Sequence, residues 1–386
     1  MSDANTARVD QEMTPEAQER RRQEGRAAGG VSDLLSLWWE KQRATNLVRH
    51  DPRLLVLHGV EEACGAYGWG TVFYSKARED YKTRVGSLPE KRAATFDLEL
   101  MSRLLFARAG GLNIAANPNS IVPGHLVVWP EEKRAELTRA DLFDVSRLAR
   151  AEGGWTFIHN MERAAASIVD WAHFQAYPWE FPLARAEACE TIFLQETAGF
   201  RVSRVAETYP AYALAVEAES TEMLSAWLHG MLRAFKMDAA RAMGRESTES
   251  AKGVAGTAGT ESAAGAEDAE SAGSMGSGTG ASSKVGAESG GQRGVPCNIV
   301  WRGARAWLIP RSPGQTTLAA TYVGALEMGG LFCLPNADSL RQYLPDALRA
   351  EVRGASIAED AEMRAWCERA ARETAVELCA GVGETT

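Results

Sequence analysis

The sequence predicts an α+β protein of two similar halves, each an antiparallel sheet with packed helices. Three observations lead there. Short apolar runs of strand length, such as "LLFARA" and "HLVVWP", are set off by turns rich in Asn, Pro and Gly. Stretches with apolar residues at helical spacing lie between them. Two segments, "LNIAANPNSIVPGHLVVWPEE" and "CNIVWRGARAWLIPRSPG", also share a shape: an Asn near the start of a strand, a turn, then a strand ending in Pro and a charged residue.

Taken in order, residues 1–30 are polar, charged and end in Gly-Gly, which reads as a frayed helix or disordered arm. Ser32 caps a predicted helix whose apolar face holds Leu34, Leu35, Leu37, Trp38 and Trp39, with the Trp pair read as core. "RLLVLHGVEEACGAYGWGTVFYSK" reads as short strands joined by tight turns. "NPNSIVPG" is a turn between two strands, and Thr138 caps a helix carrying Leu142, Phe143, Val145 and Leu148. The first half is expected over 31–200 and the second over 201–345, with a C-terminal helical segment and tail over 346–386. The tract 245–294 is Gly, Ala, Ser, Thr and Glu with almost nothing to bury, so it reads as a disordered insertion within the second half. Such an insertion costs little, because loop-closure entropy grows slowly with length.

At 386 residues and 45% hydrophobic, the chain can bury one large or two modest cores. A formal net charge of −9 argues against a nucleic-acid partner, which needs a basic surface. It does not argue against a free nucleotide, which a few local donors can hold. The six cysteines (Cys64, Cys189, Cys297, Cys333, Cys367 and Cys379) stand far apart with no CxxC pair, so neither a zinc site nor a disulfide framework is expected. Free thiols in a reducing compartment account for them. The N-terminus has no apolar signal core, and no apolar run is long enough to cross a bilayer. A cytoplasmic protein with no membrane partner is the expectation.

One of the six histidines, His173, stands in "SIVDWAHFQAYPW". In an extended chain Trp171, His173, Gln175 and Tyr177 share one face, while Ala172, Phe174 and Ala176 share the other. The second face is apolar and suits a core. The first sets a titratable nitrogen beside a carboxamide, a pair suited to a reaction at phosphate. A lone strand histidine is also a common structural residue, and the residues alone leave both readings open.

Four segments together resemble the transferase branch of the histidine-triad superfamily, which holds the galactose-1-phosphate uridylyltransferases, diadenosine tetraphosphate phosphorylases and GDP-L-galactose phosphorylases. "NPNSIVPGHLVVWP" is similar to the family's Asn-Pro turn and Gly-His strand, and "AHFQAY" to its His-x-His-x-Gln strand. "CNIVWRGARAWLIPR" is similar to the Asn-leading strand pair of the second half, and "ALEMGGLFCLPNADSL" to the late Glu-x-x-Gly strand. The segments run in the family's order over roughly residues 95–345. The resemblance implies a histidine-triad-like fold in which His173 is the nucleophile and Gln175 a phosphate donor. It implies substrate contacts from Asn160, Ser167, Asn117, His125 and Trp171. It further implies a nucleotidyltransferase or a phosphorylase of a nucleoside-diphosphate sugar or dinucleotide, working through a nucleotidyl-histidine, with inorganic phosphate or a sugar phosphate as acceptor. No cofactor is implied. Trp171 stands where the family has its first active-site histidine, and no cysteine pair remains, so zinc is not expected.

The chemistry is consistent with that implication. An imidazole of pKa near 6.5 is largely neutral and nucleophilic at pH 7. One preorganised donor such as the Gln175 amide is worth about 3 kcal/mol to a charged transition state. For one ring nitrogen of His173 to attack, the other must donate to a fixed acceptor, such as a backbone carbonyl. Two alternatives remain: a non-catalytic nucleotide binder in which Trp171 stacks a base, and an interaction protein with a structural histidine and the acidic insertion as contact element. Among the other candidates, His125 reads as a turn cap or a nucleotide contact. Asp170 reads as core-side. Arg302, Arg305 and Arg311 read as a solvated face or a phosphate partner, and Glu327 as a mark of tight backbone approach.

Overall fold

A computed structural model describes residues 34–45, 55–59, 69–75, 96–166, 168–189, 191–197, 199–250, 294–312, 317–318, 321–334 and 345–383. The expected N-terminal arm, Ser167 and residues 251–293 of the expected insertion lie outside the described residues. The chain divides into two compact units, residues 1–234 with 295–386, and residues 235–294. The account below concerns the first.

The elements of the first half are α1 (Leu34–Thr45), β1 (Leu55–Gly59), β2 (Thr71–Ser75), α2 (Leu98–Leu104), β3 (Leu105–Ala109), β4 (Leu112–Ala116), β5 (Leu126–Pro130), α3 (Arg139–Ala151), β6 (Thr156–Asn160) and β7 (Phe174–Tyr177). There follow α4 (Pro182–Cys189), β8 (Thr191–Thr197), β9 (Phe200–Val205), β10 (Leu214–Ala218), α5 (Thr221–Ser250), β11 (Cys297–Arg302) and β12 (Arg305–Pro310). The chain continues through β13 (Thr317–Leu318), β14 (Thr321–Tyr322), α6 (Ala325–Met328), β15 (Leu331–Leu334), α7 (Pro345–Ala355) and α8 (Ala361–Gly383). Thr138 caps α3 as expected: its hydroxyl accepts from Asp141 N–H at 3.2 Å, and the Asp141 carboxylate accepts from Thr138 N–H at 2.8 Å. The helix reaches Ser250, so residues 245–250, expected as part of the insertion, are helical. The second run of strands opens at Thr191, within the span expected for the first half.

Ten strands make one sheet in the order β3-β4-β5-β7-β6-β11-β12-β10-β9-β8, with every neighbouring pair antiparallel. The order reveals the repeat. Strands β3 to β7, with α3 before the last two, stack as first-second-third-fifth-fourth, and β8 to β12, with α5 before the last two, stack the same way. The halves join where β6 pairs with β11, Asn160 opposite Asn298 and Phe157 opposite Trp301. One detail of the sequence reading is corrected. The two segments of similar shape are not counterparts: the first forms β4 and β5, whereas the second forms β11 and β12, whose counterpart is β6 with β7. Any antiparallel pair shows that local shape, and only the strand order says which pair it is.

The sheet has two faces. Ile158, Tyr177, Val300, Trp307 and Ile309 pack with Phe181, with Ala325 and Met328 of α6, with Leu331 and Phe332 of β15, and with Leu348 and Val352 of α7. On the other face Phe174 meets Trp301 edge-on, with ring centroids 5.5 Å apart, and α3 packs on β4, β6 and β11. The link from α6 to β15 has little room. Gly330 sits at φ +91°, and a Cβ there would lie 2.5 Å from the Trp69 carbonyl oxygen. Its own carbonyl accepts from Thr71 N–H at 2.7 Å, which starts the parallel pairing of β15 with β2. Gly330→Ala is expected to destabilise the fold by roughly 1–3 kcal/mol, read as a lower denaturation midpoint with an unchanged slope.

Candidate active site

Strand β7 covers only Phe174–Tyr177, so the extended stretch expected from Trp171 starts later. Before it the chain bends, and Ala172 N–H donates to the Arg134 carbonyl at 2.6 Å. Arg134 is itself held by both carboxylate oxygens of buried Asp141, at 2.6 and 2.9 Å. This ties the first turn of α3 to the bend that carries His173. Because of the bend, Trp171 does not share the open face. Its ring is buried against Phe96, with centroids 4.9 Å apart, and its Nε1–H donates to the Pro130 carbonyl at 3.3 Å. What Trp171 offers at the site is its backbone. The His173 ring places Nδ1 3.0 Å from the Trp171 carbonyl oxygen.

That bond fixes the tautomer. A carbonyl can only accept, so Nδ1 carries the proton and Nε2 keeps its lone pair. Nε2 has no hydrogen-bond partner among the described residues. Burial is the main influence on the ring's pKa and lowers it, opposed by the Trp171 carbonyl and the Asp170 charge. The ring is therefore neutral at pH 7. It is 7% exposed, with Phe96 above it at a centroid separation of 6.4 Å. Two concavities among the described residues lie elsewhere, one beside Arg139, Phe143 and Glu222 and one beside Arg204, Tyr209 and Arg364.

Two carboxamides lie on the strands next to His173 in sequence and register. The β6–β7 register sets Thr156 opposite Tyr177 and Ile158 opposite Gln175, so Asn160 follows on the same face of β6, two residues beyond the last paired position. The oxygen of Asn160 accepts from Asn298 Nδ2 and from Ala325 N–H, both at 2.7 Å. On the other side, Gln175 Oε1 accepts from the Tyr177 hydroxyl at 2.7 Å and lies 2.9 Å from His125 Nε2. Two donors approach the His125 ring: Ile121 N–H on Nδ1 at 3.3 Å, and the Asn117 amide on Nε2 at 3.0 Å. A neutral ring accepts only once. The backbone N–H cannot turn away, so Nδ1 accepts and Nε2–H donates to Gln175. The oxygens of Asn160 and Gln175 are thus both occupied, and neither amide nitrogen has a partner among the described residues.

His125 is both a turn element and a neighbour of the site, stacked on Tyr177 with centroids 4.5 Å apart. Asn117 shapes the same turn, its oxygen accepting from Asn119 N–H at 2.8 Å. Asp170, expected on the core side, instead pairs with Lys133 at 2.7 Å at the surface. Arg311, expected on a solvated face, is wholly buried. Its pattern resembled a surface strand end, but its acceptors come from elements distant in sequence. Glu327 caps the backbone, its Oε2 accepting from Gly324 N–H at 2.9 Å, and the glycines after it sit in tight quarters, as expected. Among the described residues, no group of three or more His, Cys, Asp or Glu gathers as a metal site, and no helix is long and apolar enough to cross a membrane.

Sequence reasoning passed over His159. It lies on the opposite face of β6, near Phe174, and its Nδ1 is 2.8 Å from the His173 carbonyl oxygen. Its partner is main chain across the sheet, which no residue pattern marks.

The fold defines the class. It is an α+β protein whose ten-stranded antiparallel sheet is built of two like halves, with His173 just before β7, Gln175 on β7 and Asn160 on β6. Among solved structures, yeast Ap4A phosphorylase Apa2 in complex with Ap4A matches 84% of this chain and 97% of its own length, at 10% identity and a TM-score of 0.52. A uridylyltransferase matches 69% of this chain and 90% of its own at 12% identity, with a TM-score of 0.29. No family model matches the sequence, and no curated protein matches it either. The expected α+β histidine-triad-like fold is therefore established by the shape of the chain.

Burial dominates His159, lowering its pKa to about 4. The group is neutral when folded and protonates near pH 6.5 when unfolded. Its stabilising effect is full above pH 6.5 and is lost as pH falls toward 4. The loss is roughly 3 kcal/mol. Urea unfolding between pH 7 and pH 4 should show stability falling with pH, and His159→Phe should flatten the fall.

Proposed function

We propose that the protein is a nucleotidyltransferase or phosphorylase that acts through a nucleotidyl-histidine on His173. One observation carries the reading: His173 Nε2 keeps its lone pair with no hydrogen-bond partner among the described residues, and the neighbouring carboxamides of Gln175 and Asn160 are each held by their oxygens. The lone pair attacks the α-phosphorus of a nucleoside-diphosphate sugar or a dinucleotide. A phosphorus–nitrogen bond forms, and the phosphoanhydride bond to the leaving phosphate breaks. The bonding pair leaves with that phosphate, which takes its proton from water. The Gln175 and Asn160 amide nitrogens donate to the equatorial oxygens, where charge builds. An oxygen of inorganic phosphate or a sugar phosphate then attacks phosphorus, and the imidazole departs unchanged. The Trp171 carbonyl holds Nδ1–H throughout and stabilises the positive charge that develops on the ring. The fold shared with a phosphorylase whose structure holds Ap4A supports a dinucleotide as first substrate to try.

The second reading is nucleotide binding without turnover, and the low exposure of the His173 ring favours it. The two readings separate on one experiment. The protein is incubated with Ap4A or a nucleotide sugar labelled at the α-phosphate and quenched in base. The expected result is an acid-labile adduct that is absent in His173→Ala and discharged by added phosphate. Binding without an adduct would establish the second reading. Gln175→Leu is expected to slow labelling by about a hundredfold while the fold remains intact by circular dichroism. Because burial lowers the His173 pKa, the labelling rate should stay flat as pH drops through 6.5 and fall only at more acidic pH.

A further inference from the structure

Arg311 is buried to 0% exposure, and three acceptors meet its guanidinium. Its Nε donates to the Ala355 carbonyl at 2.8 Å, and its Nη1 donates to the Val323 carbonyl and to Asn298 Oδ1, both at 2.7 Å. Burial lowers its pKa to about 10, opposed by the Glu327 charge, so the guanidinium is protonated at neutral pH. A guanidinium has no acceptor atom. Its bond to Asn298 therefore leaves no choice about which end of that carboxamide is oxygen.

The consequence runs outward one residue at a time. With its oxygen taken by Arg311, Asn298 must present Nδ2 to the other side, where it meets Asn160 Oδ1 at 2.7 Å and the Ala164 carbonyl at 2.8 Å. Both are acceptors, so the arrangement is self-consistent. Asn160 in turn has its oxygen fixed from two directions, by Asn298 and by Ala325 N–H, which opens α6. Its amide nitrogen is left without a hydrogen-bond partner among the described residues, on the face of β6 that continues toward His173. Without these contacts a carboxamide can turn over, presenting oxygen where nitrogen stood, at little cost in shape. Oxygen beside a phosphate repels it.

We propose that Arg311 is a positioning residue, which through Asn298 holds the Asn160 amide as a donor at the phosphate of the transferred nucleotidyl group. The inference rests on the nucleotidyl-transfer reading of His173 for its functional meaning, and on the hydrogen bonds alone for its structural content. Asn298 belongs to β11 and Arg311 directly follows β12, both in the second half, whereas Asn160 and His173 belong to the first. The second half thereby contributes to the site by orienting one of its donors.

Asn298→Asp tests this directly. The new carboxylate keeps an acceptor for Arg311, but it has no amide to give Asn160 and invites the Asn160 nitrogen to turn inward. The expected result is a protein that melts within a few degrees of wild type yet takes up α-phosphate label about a hundredfold more slowly. The half-saturating concentration should move much less than the rate. Arg311→Lys, which keeps a donor and a charge, should retain part of the rate, whereas Arg311→Met should lose it. Labelling of Asn298→Asp at the wild-type rate overturns the proposal, as does a rate loss that merely tracks the fraction unfolded. A second measurement needs no nucleotide chemistry. The Asn160 side-chain amide pair in the proton–nitrogen NMR spectrum, assigned by its absence in Asn160→Asp, should shift in Asn298→Asp, and an unchanged pair overturns the relay. If the wild-type protein takes no label from any nucleotide, the transferase reading fails and this spectrum alone decides whether the relay exists.

Discussion

The antiparallel seam between β6 and β11 is the constraint on which the rest of the molecule depends. Two five-stranded runs with the same internal order would each expose a long unpaired edge at their fourth strand. Pairing those edges satisfies the backbone of both and produces a single sheet. The pairing also dictates side-chain neighbours: Asn160 faces Asn298, and Phe157 faces Trp301. One register therefore sets Asn160 and Asn298 on the face whose core holds Ile158 and Val300, and Phe157 with Trp301 on the other. A slip of one residue would reverse both.

The polar face is organised by groups that can bond in only one sense. Backbone N–H groups at Ile121 and Ala325, the Arg311 guanidinium and the Trp171 carbonyl each leave their partners a single option. From these fixed ends the orientations of His125, Gln175, Asn298, Asn160 and His173 follow by elimination. The outcome is an imidazole with Nε2, and two carboxamides with their nitrogens, left without a hydrogen-bond partner among the described residues. Buried polar groups are costly unless paired, and here each of the five side chains is paired at its other end.

Trp171 shows how a substitution at a motif position can leave the orientation of a neighbouring histidine in place. The position serves His173 through a carbonyl oxygen, which every residue has. Its indole goes instead to an aromatic cluster with Phe96 and Trp129, where it packs beside the His173 ring on Phe96. The same packing accounts for the low exposure of His173 and for the lowered pKa of its imidazole. An imidazole kept neutral by its surroundings is a better nucleophile at phosphorus than one that titrates freely.

By itself the sequence determined the parts. Short apolar runs between turns marked β5, β11 and β12, Thr138 marked the start of α3, and the spacing of His173 and Gln175 placed both on one face, because these signals lie within a few residues of one another. The similarity of the halves showed in outline, although the wrong pairs of strands were matched. Only the tertiary structure decided the sheet order, the inward turn of Arg311, the role of His159 and the displacement of the Trp171 ring. In each case the partner is a main-chain carbonyl, a carboxamide or an aromatic ring brought in from elsewhere in the fold. A residue pattern records what a side chain can offer, but the acceptor that claims it exists only once distant strands have paired.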